Sequence, residues 1–187
     1  MNPMHEKLVE ISKKYQKYVG SHGYEHTERV IQTCISIGNA LDADMDVLIP
    51  AAILHDIGRG NDNHAAHGAL MARKILEENG YTKIDEIVHA IEVHSFSAGG
   101  KAKTLEARIL SDADKLDAMG ATGIYRSSQF GVEHNRPLDE FIGHFYEKLL
   151  TLKDLLYTDE AKRIADLRHS YMLGYLEQLD KELKSLS

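Results

Sequence analysis

The sequence has no tryptophan, one cysteine and three prolines in 187 residues, and each scarcity excludes something. A lone Cys34 builds neither a disulfide framework nor a thiolate zinc cluster, and it suits a reducing cytosol. Positive charge is also short: 22 Lys and Arg against 29 Asp and Glu give a formal charge of -7. A chain of that sign lacks the basic face that nucleic-acid phosphates need, so no nucleic-acid partner is expected, although a local cation could still hold a small phosphate. The N-terminal stretch MNPMHEKLVEISKKY is polar and charged. Neither a secretory signal nor a membrane span is read there, and the expectation is a soluble cytoplasmic protein with no membrane partner.

With so few prolines, little interrupts a helix. Apolar residues recur at three- and four-residue steps, and strand-like alternation is nearly absent. The spacing predicts an all-α fold, a bundle of about nine helices at about 4–19, 24–42, 46–57, 64–79, 82–94, 103–118, 121–130, 138–156 and 158–184. Glycines at 20, 23, 58, 60, 80, 99 and 100 fall at the proposed ends, where a left-handed residue terminates a helix. The length is that of one domain, 1–187, with helices 138–184 expected to pack on a core of about 20–130. The last segment, DEAKRIADLRHSYMLGYLEQLDKELKSL, reads as a long amphipathic packing helix that could also serve as an oligomer interface.

Histidine is what the chain has in excess: eleven, of which seven, at 22, 26, 55, 64, 67, 89 and 94, lie between residues 22 and 94. Helical spacing puts His26 on the face of Val30, Cys34, Ile37 and Leu41, His55 with Leu48, Ala51 and Ala52, and His94 with Ile87, Ala90 and Ile91. Taken singly, each reads as a hydrogen-bonded core histidine. Several inward histidines beside Asp56 are costly to bury together unless one partner satisfies them all, and a metal ion is such a partner. Adjacent helical residues point about 100 degrees apart, so His55 and Asp56 reach one ion only near a helix end. In ILHDIGRG, Gly58 and Gly60 supply that end. A second carboxylate source is ARILSDADKLDAMGA, with Asp112, Asp114 and Asp117; the helical wheel does not choose among them, nor between this role and a solvated acidic surface.

The order His26, then His55-Asp56, then an aspartate in ADKLD resembles the HD-domain superfamily of metal-dependent phosphohydrolases. The resemblance implies Asp114, the aspartate of the AD pair, as the final ligand beside His26, His55 and Asp56. HAAHGALMARKIL and IEVHSFS look like the matching segments of binuclear members, which implies His64 and His94 as holders of a second ion. His67 has no equally clear counterpart, and His89, His134, His144 and His169 stay unassigned. The longer stretches DADKLDAMGATGIYRSSQFG and GHFYEKLLTLKDLLYTDEAKRIADLRHSYM look like a subgroup of small stand-alone members. Some relatives there hydrolyse deoxynucleoside triphosphates to monophosphate and pyrophosphate. SFSAGG after His94 lacks the GYP signature of the cyclic-dinucleotide branch.

The cofactor implied is one or two divalent ions per chain, with Mn, Mg, Fe, Co and Ni not distinguished by a mixed nitrogen and oxygen donor set. Four protein ligands leave two octahedral positions for water and a phosphate oxygen, and Asp56 is the natural bridge to a second ion. Arg59, one turn from His55, is expected to take a catalytic part with Asp56 by gripping phosphate oxygens with its planar fork; Lys115 and Arg126 are further candidates for substrate contact. The expected substrate is a small phosphate ester, most specifically a nucleoside triphosphate cleaved to monophosphate and pyrophosphate. The competing readings are a nucleoside monophosphate phosphatase, a cyclic-nucleotide phosphodiesterase, a nucleotide- or metal-sensing module without turnover, and a purely structural helical element.

Overall fold

The computed structural model describes residues 3–16, 20–21, 23–61, 63–95 and 100–185, and among them every regular element is helical. In chain order these are α1 (Pro3–Tyr15), α2 (Tyr24–Ala40), α3 (Met45–Leu54), α4 (His64–Glu78), α5 (Ile84–Val93), α6 (Leu105–Asp117), α7 (Gly120–Glu133), α8 (Leu138–Glu147), a 3-10 helix (Leu149–Leu155) and α9 (Asp159–Lys184). The all-α reading with nine α-helices therefore holds for the described residues. They form two compact units, Met1–Asp114 and Lys115–Ser187, whose boundary falls within α6.

In the first unit α3 is buried at every position from Val47 to Leu54. A helix apolar all round belongs in an interior, and α1, α2 and α5 pack against it while α4 packs on α5. The expected extent 46–57 is cut short at Leu54, with His55 at the C-cap. Beyond it the chain turns by three-residue steps, Ile57 N–H to Leu54 O (3.3 Å) and Arg59 N–H to Asp56 O (3.1 Å). The last carbonyls of a helix have no partner within it, and one of them is claimed from elsewhere: Ser12 Oγ donates to Ile53 O at 2.8 Å. Gln16 Nε2 donates to Ser12 Oγ (3.2 Å) and Thr27 Oγ1 to Gln16 Oε1 (2.8 Å). This buried chain ties α1 and the start of α2, where His26 sits, to the end of α3.

Gly58 sets the distance between that end and α4. A Cβ there would lie 2.2 Å from His64 O and 2.5 Å from Gly68 N, so only hydrogen fits. The close approach brings the first residue of α4, His64, to the turn that carries Asp56.

In the second unit α7 packs on α9, and the 3-10 helix contacts both α8 and α9. The single helix expected over 138–156 is two elements, because Lys148 leaves the helical region at φ -135° and ψ -60°. The apolar spacing changes with it. Phe141 and Phe145 are four apart and buried in α8, whereas Leu149 and Leu152 are three apart and buried in the segment that follows, which matches a 3-10 period. No helix among the described residues is long and apolar enough to cross a membrane.

Gly58→Ala is expected to destabilise the protein by about 1–3 kcal/mol, the usual cost of overpacking. Denaturant unfolding measures it, and an unchanged midpoint would mean that the turn can retreat from α4.

Candidate metal centre

His55 and His94 occupy the same local position, the C-cap of α3 and of α5. Each turns Nδ1 back onto the carbonyl three residues before it, His55 to Ala52 O at 2.8 Å and His94 to Ile91 O at 2.6 Å. A carbonyl only accepts, so Nδ1 carries the proton and Nε2 presents its lone pair. Both rings are fully buried. The end of α5 is itself held, since Ser111 Oγ on α6 donates to His94 O at 3.0 Å.

Between these rings lies the Asp56 carboxylate, 1% exposed. Its two oxygens face different histidine pairs. Oδ2 is 3.7 Å from His26 Nε2 and 3.9 Å from His55 Nε2, while Oδ1 is 3.9 Å from His64 Nε2 and 3.8 Å from His94 Nε2. The residues thus form two triads that share Asp56, and within each the ligand atoms lie within 4.8 Å of one another. Asp114 Oδ1 approaches the first triad, 3.3 Å from His26 Nε2. His26 and His55 bring their Nε2 atoms to 3.2 Å.

Asp56 Oδ1, His64 Nε2 and His94 Nε2 are buried without a hydrogen-bond partner. Unsatisfied polar groups in an interior are costly, and a carboxylate oxygen beside imidazole lone pairs is the donor set of a divalent cation. The residues present therefore fit a metal. The electrostatics agree. Burial pushes His55 down to about 4; Asp56 opposes, but His94 and His26 add to the fall, so the ring is a neutral ligand near neutral pH. Burial also lowers His64, helped by Arg59. For Asp56 burial acts upward but is outweighed by His55, His94, Arg59 and His26, which hold the carboxyl well below its usual range. Asp114 follows the same balance, burial against the His26 hydrogen bond and the surrounding imidazoles, and also stays well below the carboxylate norm.

Of the other candidates, Arg59 donates from Nε to Asp56 Oδ2 at 3.0 Å with its side chain 31% exposed. Lys115 and Arg126 lie in the second unit: Lys115 Nζ sits 5.6 Å from the Tyr157 ring centre, and Arg126 donates to Asp117 Oδ2 at 3.0 Å. Among the three aspartates of α6, Asp114 is the one at His26; Asp117 answers Arg126, and Asp112 is fully buried. His67 is exposed. His22 and most of the SFSAGG segment, residues 96–99, lie outside the described residues. Sequence reading missed Ser12 and Ser111, which hold the ends of α3 and α5. Serines among charged neighbours carry no signal of that task.

Residues 23–119 match the family described as HD domain. The chain belongs to the HD-domain family. It is similar to YpgQ of Bacillus subtilis, 32% identical over 176 residues that cover 88% of this chain and 86% of YpgQ. The crystal structure of Bacillus subtilis YpgQ in complex with ADP superposes with a TM-score of 0.82 at 28% identity, covering 98% of this chain and 100% of that one. An HD-superfamily hydrolase from Bacillus thuringiensis matches at a TM-score of 0.77 and 33% identity over 96% of each chain. Ribonuclease Y of Rubrobacter xylanophilus is 27% identical over 144 residues, which are 73% of this chain but 26% of that enzyme. As an HD-family hydrolase the protein is a metal-dependent phosphohydrolase, and its His and Asp clusters are groups that could hold the ions.

The shared carboxylate predicts that metal-replete protein binds two divalent ions per chain. His94→Ala is expected to lower the stoichiometry to one, and Asp56→Asn to abolish binding; plasma mass spectrometry after dialysis counts the ions. Two ions retained in His94→Ala would remove His94 from the site.

Proposed function

We propose that the protein hydrolyses nucleoside triphosphates, deoxynucleoside triphosphates included, to monophosphate and pyrophosphate. The observation that carries this reading is the division of the Asp56 carboxylate between two histidine pairs, with Oδ1 and two facing Nε2 atoms unsatisfied. His26, His55, Asp56 and Asp114 would hold one ion, and His64 and His94, with Asp56 shared, a second. When bound, such ions supply Lewis acidity toward a phosphate oxygen and ease the deprotonation of water.

The chain's own residues do the rest. Backbone carbonyls at Ala52 and Ile91 hold the His55 and His94 rings in the tautomer that presents Nε2. Asp56 stays ionised between its cationic and imidazole neighbours. Arg59 is the group we assign to the substrate: its fork, one turn beyond His55, would exchange its bond to Asp56 for two to phosphate oxygens, offsetting the charge that develops there. A nucleotide as substrate is supported by YpgQ, whose crystal structure is of a complex with ADP. Cleavage between the α and β phosphates is what the resemblance to the small stand-alone subgroup adds.

The test is a panel of nucleoside triphosphates, monophosphates, cyclic nucleotides and single-stranded RNA, each with Mn, Mg, Fe, Co or Ni. Pyrophosphate release from triphosphates is expected, lost by at least about a hundredfold in His55→Ala and Asp56→Ala and lowered about tenfold or more in Arg59→Ala, in line with removing an ion or one charged hydrogen bond. Inorganic phosphate released from monophosphates would replace this reading with a phosphatase. Tight nucleotide binding without turnover in metal-replete protein would replace it with a sensor.

A further inference from the structure

The HD-domain match begins at residue 23, and α1 lies before it. Yet α1 is tied to both elements that carry the first ligands. Ser12, in α1, and Gln16, just past its end, are 0% and 9% exposed, and Thr27, beside His26, is 0% exposed. The three form one chain of hydrogen bonds whose direction is fixed at its far end. Ile53 O can only accept, so the Ser12 hydroxyl donates to it (2.8 Å). Ser12 Oγ then accepts from Gln16 Nε2 (3.2 Å), which leaves Gln16 Oε1 to accept from the Thr27 hydroxyl (2.8 Å). Lys13 adds a second hold on α2, its Nζ 4.8 Å from the centre of the Tyr24 ring.

We infer that Gln16 is a positioning residue for the ion assigned to His26, His55, Asp56 and Asp114: through Thr27 on one side and Ser12 on the other, it fixes the start of α2 against the end of α3. The inference rests on the ligand set proposed above. Thr27 follows His26 directly and Ile53 lies two residues before His55, so the relay spans the two elements whose rings bring their Nε2 atoms to 3.2 Å. As ligands both rings aim lone pairs at one point, and those lone pairs repel each other until a cation stands between them. A buried tie between the two helices opposes that repulsion and holds the pair ready for the ion. His64 and His94 depend on other contacts, the close approach at Gly58 and the Ser111 bond, so the relay serves one ion of the two.

Cobalt(II) binding reads this directly, because its visible spectrum reports the donor atoms and needs no turnover. In a His94→Ala parent, expected to keep the first ion, Gln16→Met and Thr27→Val should each raise the cobalt dissociation constant about tenfold or more, the usual effect of removing a partner that orients a metal ligand. Thr27→Ser, which returns the hydroxyl, should restore the parent's constant. Leu8→Val loosens α1 at a fully buried position without removing a hydrogen bond of the relay. It should lower the thermal melt and leave the cobalt constant unchanged. A constant within about twofold of the parent's in both Gln16→Met and Thr27→Val overturns the inference, as does one raised as far by Leu8→Val as by those two. A parent that binds no cobalt at all overturns the ligand set itself, and the inference falls with it.

Discussion

A carboxylate that is 1% exposed cannot keep its charge unless its surroundings provide for it. Around Asp56 part of that provision is the Arg59 guanidinium at Oδ2, and the two oxygens face different histidine pairs with which they could hold metal ions. Much of the first unit serves to hold those groups in place. α3 is apolar throughout its buried length, so its whole polarity is concentrated in the turn that follows Leu54. The helix delivers His55 and Asp56 into the interior and then ends, because a continuing helix would carry the two side chains about 100 degrees apart.

Helix ends are the device by which packing becomes site geometry here. The carbonyls of Ala52 and Ile91, free because their helices stop, orient His55 and His94. Serines on other helices donate to further carbonyls at those ends, Ser12 to Ile53 O and Ser111 to His94 O. Gly58 lets the turn press against α4 and so fixes how far His64 stands from Asp56. Each contact is an ordinary satisfaction of a buried backbone group, and together they leave one cluster of atoms that the chain does not satisfy. Three buried orphans gathered at one point, a carboxylate oxygen and two facing imidazole nitrogens, are the mark of a place that could hold a cation.

Arg59 adds a second property to the same turn. Its bond to Asp56 Oδ2 neutralises the carboxylate and holds the guanidinium, about a third exposed, beside the cluster. In the proposed function this is the group that would exchange its carboxylate partner for phosphate oxygens. In the second unit the corresponding features are internal pairs, Arg126 with Asp117 and Lys115 with Tyr157.

Periodicity alone determined the helical class, nearly every helix start, and the inward faces of His26, His55 and His94, because burial imposes a 3.6-residue repeat that a sequence displays directly. The motif order determined the family. It did not determine where α3 stops, nor the change to a 3-10 segment after Lys148, where the spacing of buried apolar residues shifts from four to three. The helical wheel did not choose among Asp112, Asp114 and Asp117; the family resemblance pointed to Asp114, and the fold sets that one beside His26. All three share one short helix, and what separates them is which neighbour stands opposite: His26 for Asp114 and Arg126 for Asp117. Sequence records what each residue can do; the packing of α2, α3, α4 and α5 decided which residues do it together, since the distances that join the two triads run between helices and leave no trace in spacing along the chain.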